Sequence, residues 1–249
     1  MGQGVRQAVI TGGGSGIGLA IARRLSADGA TVLLLGRSED RLRAAQQAVP
    51  DARIAACDVA DEDSVKRVLS GFGSIDILVN NAGIVETALF LRIDDDAWRR
   101  MVDVNLMGAV HCIRAVLPAM TARGRGRIIN IASTAALKGY AYASAYAATK
   151  HALLGLTRSL ALELARTEIT VNAVCPGYTE TAIVEAAVAR IAEKTGRGPE
   201  EARAALEAAN PQGRLIKPEE VAQAVAWLVS PEARAITGQA IAVAGGEVM

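Results

Sequence analysis

Tyr146 and Lys150 stand four residues apart in Tyr146-Ala147-Ala148-Thr149-Lys150, a spacing that puts a phenol and an ammonium on one face of a helix. A free phenol titrates near about 10, and a neighbouring positive charge favours its anion, so the pairing draws proton transfer toward neutral pH. Such a tyrosine can give a proton to a carbonyl oxygen or take one from an alcohol. Ser133, thirteen residues before Tyr146, can hydrogen-bond the same oxygen as negative charge develops on it. A Tyr and a Lys at this spacing occur on many solvated helix faces, and it is the place of Ser133 that gives the pair weight.

A second constellation lies near the start of the chain, where Thr11-Gly12-Gly13-Gly14-Ser15-Gly16-Ile17-Gly18 follows a strand-like run and opens a helix-like one. Glycines there permit a tight turn and close approach to a pyrophosphate, and the helix N-terminus offers free N–H donors. Gly12, Gly16 and Gly18 give G-x-x-x-G-x-G rather than G-x-G-x-x-G, and Gly12, Gly14, Ser15, Gly16, Ile17 and Gly18 are the candidate dinucleotide contacts. The next strand, Val32-Leu33-Leu34-Leu35, ends in Gly36-Arg37 where an NAD-selective site carries an acid. A guanidinium at that place suits a 2′-phosphate, so NADP(H) is favoured. A surface Arg37, or one stacked on adenine, leaves NAD(H) compatible, because Ser15 adds no basic group in the loop.

These residues need elements to hold them, and the periodicity supplies strand–helix alternation along the whole chain. Strands are predicted over 7–11, 31–35, 53–57, 75–80, 127–132, 169–174 and 240–243, with helices near 16–28, 39–48, 62–70, 95–122, 145–165 and 218–229. The expected architecture is α/β: one Rossmann-type domain over 1–249, a doubly wound sheet of seven parallel strands with helices on both faces. The glycine loop, Asn80-Asn81-Ala82-Gly83, Ser133 and Tyr146 then all sit at C-terminal strand ends. An Ala- and Glu-rich stretch after Thr179, broken at Thr195-Gly196-Arg197-Gly198 and restarted at Pro199, reads as two helices of a substrate lid over about 180–213. A plain surface hairpin of helices is the alternative.

Composition narrows the function classes. In 249 residues, 27 Lys plus Arg oppose 26 Asp plus Glu, so no nucleic-acid or anionic-membrane partner is indicated. Cys57, Cys112 and Cys175 are an odd number without a C-x-x-C pair, which argues against a disulfide framework or thiolate metal site and fits a reducing cytoplasm. Met1 to Arg6 is too short for a signal peptide, and no unbroken apolar run is long enough to span a membrane. Gly2 invites a check for myristoylation, but Arg6 stands where that pattern wants Ser or Thr. His111 and His151 lack metal spacing, Trp98 and Trp227 read as core, and Arg123, Arg125 and Arg127 read as a solvated turn.

Taken together, T-G-x-x-x-G-x-G at 11–18, N-N-A-G at 80–83, Asn105, Ser133, Y-x-x-x-K at 146–150 and Pro176-Gly177 resemble the short-chain dehydrogenase/reductase family over essentially the full length. That resemblance implies a tetrad of Asn105, Ser133, Tyr146 and Lys150, with Lys150 also on the nicotinamide ribose and Asn105 holding a relay water. It further implies Asp58 and Val59 at the adenine, Asn81 at the adenosine ribose with Ala82 and Gly83 beside it, and Pro176, Gly177, Tyr178 and Thr179 over the nicotinamide. Helices near 103–122 and 145–165 and the last strand would join subunits into a homotetramer or dimer. Val243-Ala244-Gly245-Gly246 departs from the family in having Ala where Asp is usual.

The resemblance implies a small-molecule carbonyl or alcohol as substrate. Val171-Asn172-Ala173-Val174-Cys175-Pro176-Gly177 and the lid sequence look similar to 3-hydroxybutyrate dehydrogenases and to 3-oxoacyl-thioester or polyketide ketoreductases, so a 3-oxoacyl thioester on CoA or acyl carrier protein leads. Ser133, Tyr146 and Tyr178 would face it, and Tyr140 and Tyr142 are available to line its pocket. Arg190, Lys194, Arg197, Arg203 and Arg214 could meet its anionic groups, or could balance the lid's own glutamates. A secondary-alcohol or cyclic-ketone dehydrogenase and a catalytically silent NADP-binding regulatory subunit are the alternatives.

Overall fold

The computed structural model describes residues 5–196 and 198–249; Gly2 and Arg197 lie outside the described residues. Seven strands, β1 (Gln7–Thr11), β2 (Thr31–Gly36), β3 (Arg53–Ala56), β4 (Ile77–Asn80), β5 (Arg125–Ile131), β6 (Glu168–Pro176) and β7 (Ala240–Val243), form one sheet. The order is β3-β2-β1-β4-β5-β6-β7 and every pairing is parallel. Chain order reverses between β1 and β4, so a crevice opens there at the carboxyl ends of the strands.

The helices are α1 (Gly16–Ala27), α2 (Glu39–Ala48), α3 (Glu62–Ser70), α4 (Asp95–Val102), α5 (Gly108–Arg123), α6 (Ser144–Glu163), α7 (Ala182–Thr195), α8 (Pro199–Glu207) and α9 (Pro218–Leu228). Parallel strands covered on both faces read as continuous apolar runs, and here alternate residues feed opposite cores. Ile10 and Leu34 pack with Ile21, Leu25 and Val225 of α1 and α9. Val9 and Leu35 pack with Val65, Val116, Met120 and Leu160 of α3, α5 and α6. The helical stretch Asp95–Arg123 is long and apolar enough to cross a membrane by length and composition, yet Cys112, Val116 and Met120 in it lie against the sheet.

Several boundaries differ from the sequence reading. The predicted helix 95–122 is interrupted by a π turn at Asp103–Met107. β4 starts at Ile77 because the carboxylate of Asp76 is taken up by the Gln7 N–H. Arg123 and Arg127 are not a solvated turn. Arg123 donates to Ser74 Oγ at 2.6 Å and to the Ile75 carbonyl, and Arg127 donates to the Glu168 carbonyl at 2.7 Å, tying the bottom of the sheet together. Trp227 is 46% exposed rather than core, since α9 turns Val221, Val225 and Leu228 inward instead.

Candidate active site

The glycine loop is shaped by close approach. Gly12 has φ +64° and Gly16 φ +51°, conformations that side chains resist. A Cβ on Gly18 would stand 2.4 Å from the Gly12 carbonyl oxygen, so α1 lies hard against the loop. Helices α2, α3 and α4 are capped by the side chains of Ser38, Asp61 and Asp94, whereas Ser15 makes no cap bond to α1 and no acid stands in its first turn. The first N–H groups of α1 and its positive dipole end are therefore left for an anion. This cradle fits the pyrophosphate of a dinucleotide.

Thr11, which the sequence reading left outside the site, anchors this cradle. Its buried hydroxyl accepts the N–H groups of Asn81 and Ala82, both at 2.9 Å. Asn81 answers by donating its side-chain amide to the carbonyls of Thr11 and Gly12 at 2.9 and 3.2 Å. Arg37 is exposed at the end of β2 and has no ion pair among the described residues. Arg41, a second cation missed in the sequence, packs its Cβ 3.3 Å from where a Gly14 side chain would start. Asp58 is half-buried and takes the Ala60 N–H, while Val59 accepts from His111 Nδ1 through its carbonyl at 2.9 Å. His111 thus serves packing, as does His151, which bonds within its own helix. Among the described residues no group of His, Cys, Asp or Glu is placed to hold a metal.

The catalytic candidates meet above β5 and β6. Ser133 follows β5, and its Oγ accepts the Ala135 N–H at 3.0 Å. Its side chain is near enough to Tyr146 to favour the ionised phenol. Lys150 is 4% exposed, donates to the Ile131 carbonyl at 2.9 Å, and has Nζ 5.7 Å from the centre of the Tyr146 ring. Burial pushes the Lys150 ammonium down to about 8, and burial pushes the Tyr146 phenol above its usual value despite the opposing influence of Ser133. Burial is the largest influence on the phenol in this arrangement. The phenol is held as a proton donor.

Asn105 sits inside the π turn. Its Oδ1 accepts the Ile84 N–H at 2.8 Å, and its Nδ2 donates to the Ile84 carbonyl and to Thr149 Oγ1 at 2.9 and 3.1 Å. Thr149 in turn donates to the Tyr146 carbonyl at 2.8 Å. Asn105 thereby joins the segment after β4 to the first turns of α6, and π turns concentrate at functional places of this kind. A Cβ on Gly83 would lie 3.3 Å from Asn105 Oδ1 and 3.6 Å from Lys150 Nζ, so Gly83 leaves open the space between them.

The segment after β6 starts beside the glycine loop. Thr181 packs on Gly16, 3.1 Å from where a side chain there would begin, and Thr179 donates to the Gly177 carbonyl at 2.9 Å. Pro176 ends β6, and the Gly177 N–H reaches the Val243 carbonyl at 3.0 Å. α7 ends at Gly196 with φ +71° and α8 begins on Pro199. Tyr178 packs with Val184, Val188 and Leu206 of these helices. Of the cations in this segment, Arg203 pairs with Glu185, Arg214 pairs with Glu220 at 2.6 Å, and Arg190 donates to Thr87 at 2.9 Å. Tyr142 is 61% exposed with φ +65°, and its carbonyl accepts the Ala88 N–H at 2.9 Å.

Comparison with known proteins agrees with this geometry. A family model described as short chain dehydrogenase matches residues 6–192. A Streptomyces coelicolor protein that carries the name ketoacyl reductase is 42% identical over 249 aligned residues, covering 96% of this chain and 95% of that protein. The cis-4-hydroxycyclohexanecarboxylate dehydrogenase of Sinomonas cyclohexanicum is 41% identical, covering 97% and 96%. A crystal structure of a variant of actinorhodin polyketide ketoreductase with NADPH superposes with a TM-score of 0.95 at 40% identity, covering 98% of this chain and 97% of that one.

Proposed function

The chain belongs to the short chain dehydrogenase family, and we propose that within it this protein reduces a 3-oxoacyl thioester, with Tyr146 as proton donor and NADP(H) preferred over NAD(H). That it is an oxidoreductase acting on CH–OH or keto groups follows from the family and its relatives. The observation that carries the assignment of Tyr146 is its geometry: Lys150 Nζ, tied to the Ile131 carbonyl, stands 5.7 Å from the centre of its ring. All four tetrad candidates are present and packed together, so the silent-subunit reading is set aside.

In this reading the α1 N-terminus and Gly12, Gly14, Ser15, Gly16, Ile17 and Gly18 hold the pyrophosphate, and Arg37 pairs with the 2′-phosphate. Asp58 and Val59 flank the adenine, Asn81, Ala82 and Gly83 border the ribose, and Pro176, Gly177 and Thr179 cover the nicotinamide. The bound nicotinamide supplies hydride. Ser133 orients the ketone oxygen, Tyr146 gives it a proton as charge builds, and Lys150 holds the ribose and the positive charge beside the phenol. Tyr178 and the lid helices enclose the rest of the substrate. Free, buried Cys57, Cys112 and Cys175 suit a reducing cytoplasm. Leu162, 79% exposed on α6, suits a homotetramer or dimer joined through that helix.

One observation favours a second reading. Arg190, Arg203 and Arg214 are taken up by Thr87, Glu185 and Glu220, which leaves fewer lid cations for a CoA phosphate or an acidic carrier protein. A cyclic-ketone or secondary-alcohol dehydrogenase needs none of them. The test is to follow nicotinamide absorbance with NADPH, and separately NADH, against acetoacetyl-CoA, longer 3-oxoacyl thioesters, free acetoacetate and cyclic ketones. Turnover of thioesters with NADPH sustains the first reading. Turnover confined to free ketones moves the enzyme to the second, and turnover confined to NADH removes Arg37 from the cofactor site.

A further inference from the structure

Glu247, in the segment after β7, is a carboxylate that the reaction as described does not use. Its side chain is 1% exposed, and Oε1 receives both the Tyr140 hydroxyl and, at 3.1 Å, the Lys138 ammonium. Oε2 is buried with no hydrogen-bond partner and lies 2.8 Å from where a side chain on Gly177 would begin. A half-satisfied buried carboxylate is costly, and a side chain kept for packing alone does not bring a charge to such a place.

What the carboxylate holds is informative. Tyr140 stands between Ser133 and Tyr146 in the chain, and its single hydroxyl proton goes to Glu247. Its oxygen is then left to accept from Thr134 Oγ1, 2.6 Å away and next to Ser133. Burial, together with the carboxylate, keeps the phenol well above its usual value and so protonated. Tyr140 therefore has no proton to offer a substrate, and what it offers is its ring. That ring meets Tyr178 edge-on, with centroids 6.2 Å apart, and Tyr178 packs into the lid cluster. The two rings run from the Ser133 turn to the lid, and Glu247 fixes one end of them against Gly177.

We propose that Glu247 is a positioning residue for substrate, holding Tyr140 so that Tyr140 and Tyr178 form an aromatic wall that selects ketones with a bulky apolar flank. The inference rests on the ketone-reducing reading above and deepens it toward one substrate class.

The test compares Glu247→Ala, Tyr140→Phe and the double variant on 2-tetralone and on a small acetoacetyl thioester, and measures amide exchange of 134–145 in the cofactor-free protein. Tyr140→Phe keeps the ring and deletes the hydroxyl with its bonds to Glu247 and Thr134, so it carries the test if Glu247→Ala does not fold. Each single variant should raise KM for 2-tetralone by about fivefold or more while kcat and the KM of the small thioester stay within about twofold, because ground-state positioning is lost and chemistry is not. The double variant should be little worse on 2-tetralone than the singles, since the contact that both break is the one between Tyr140 and Glu247. Exchange over 134–145 should speed by about tenfold with β1 unaffected. Unchanged KM and unchanged exchange in a folded Tyr140→Phe protein overturn the proposal, as does wild-type protein that reduces the thioester but not 2-tetralone. If wild-type protein reduces no ketone, the functional reading falls, and the exchange result alone upholds or overturns the role of Glu247.

Discussion

Lys150 Nζ lies 5.7 Å from the centre of the Tyr146 ring and is held there by a 2.9 Å bond to the Ile131 carbonyl. Burial brings this ammonium down to about 8, while the phenol is pushed upward by its own burial. Below about 8 the pair is therefore Lys⁺ beside a neutral phenol, the state needed to protonate a ketone. Ketone reduction, measured as kcat/KM, is expected to fall as pH rises through about 8.

Stability should move the other way across the same range. The unfolded lysine, with its ordinary value of 10.5 against about 8 when folded, binds more protons than the native one between those values, so the native state gains as pH rises. The gain is about 3 kcal/mol at full extent. Denaturant melts from pH 8 to 10 should show this rise in wild type, and a Lys150→Met variant should lack it.

Tyr146→Phe removes the proton donor and leaves the ring against Ala97, Met101 and Ala145. Loss of a general acid of this type costs about 100- to 10,000-fold in kcat, whereas the midpoint of thermal unfolding should shift by only a few degrees. Near-normal turnover in this variant would remove Tyr146 from the chemistry.

Arg37→Asp exchanges a free, exposed guanidinium for a carboxylate at the end of β2. A 2′-phosphate would then meet repulsion where it had a partner, and a 2′-hydroxyl would gain an acceptor. KM for NADPH should rise about tenfold or more and KM for NADH should fall. Arg41→Ala, on the neighbouring turn beside Gly14, should weaken NADPH binding in the same direction and by less.

The features readable in the sequence are those written in local chemistry. β1, β2 and β4 are apolar runs because both faces are covered, and the break between α7 and α8 is spelled by a left-handed Gly196 and a first-turn Pro199. The rest depends on contacts distant in sequence. The π turn at Asp103–Met107 accompanies the bonding of Asn105 to Ile84 and Thr149, which no periodicity reveals. β5 begins at Arg125 rather than 127 because Arg125 and Gly126 pair with Glu168 and Ile169. Glu247 reads as a surface acid until Tyr140 and Lys138 are brought over it. Thr11 is visible in the motif, but its partners Asn81 and Ala82 are supplied by the segment that follows the adjacent β4.

That last contact gives a prediction about the cofactor cradle itself. Thr11 is 2% exposed, and its one oxygen satisfies two backbone N–H groups at 2.9 Å. Thr11→Val keeps the shape and removes the acceptor, so both donors lose their partner, at about 1–3 kcal/mol each. The same two residues pin the loop through Asn81 Nδ2, so the loss should loosen the turn that presents the α1 N-terminus. Urea unfolding should show a drop of about 2–6 kcal/mol, and the Kd for NADPH should rise in parallel. Thr11→Ser retains the oxygen and should recover most of both. A Thr11→Val protein with unchanged stability and unchanged Kd would show that β4 and the glycine loop are joined by packing alone.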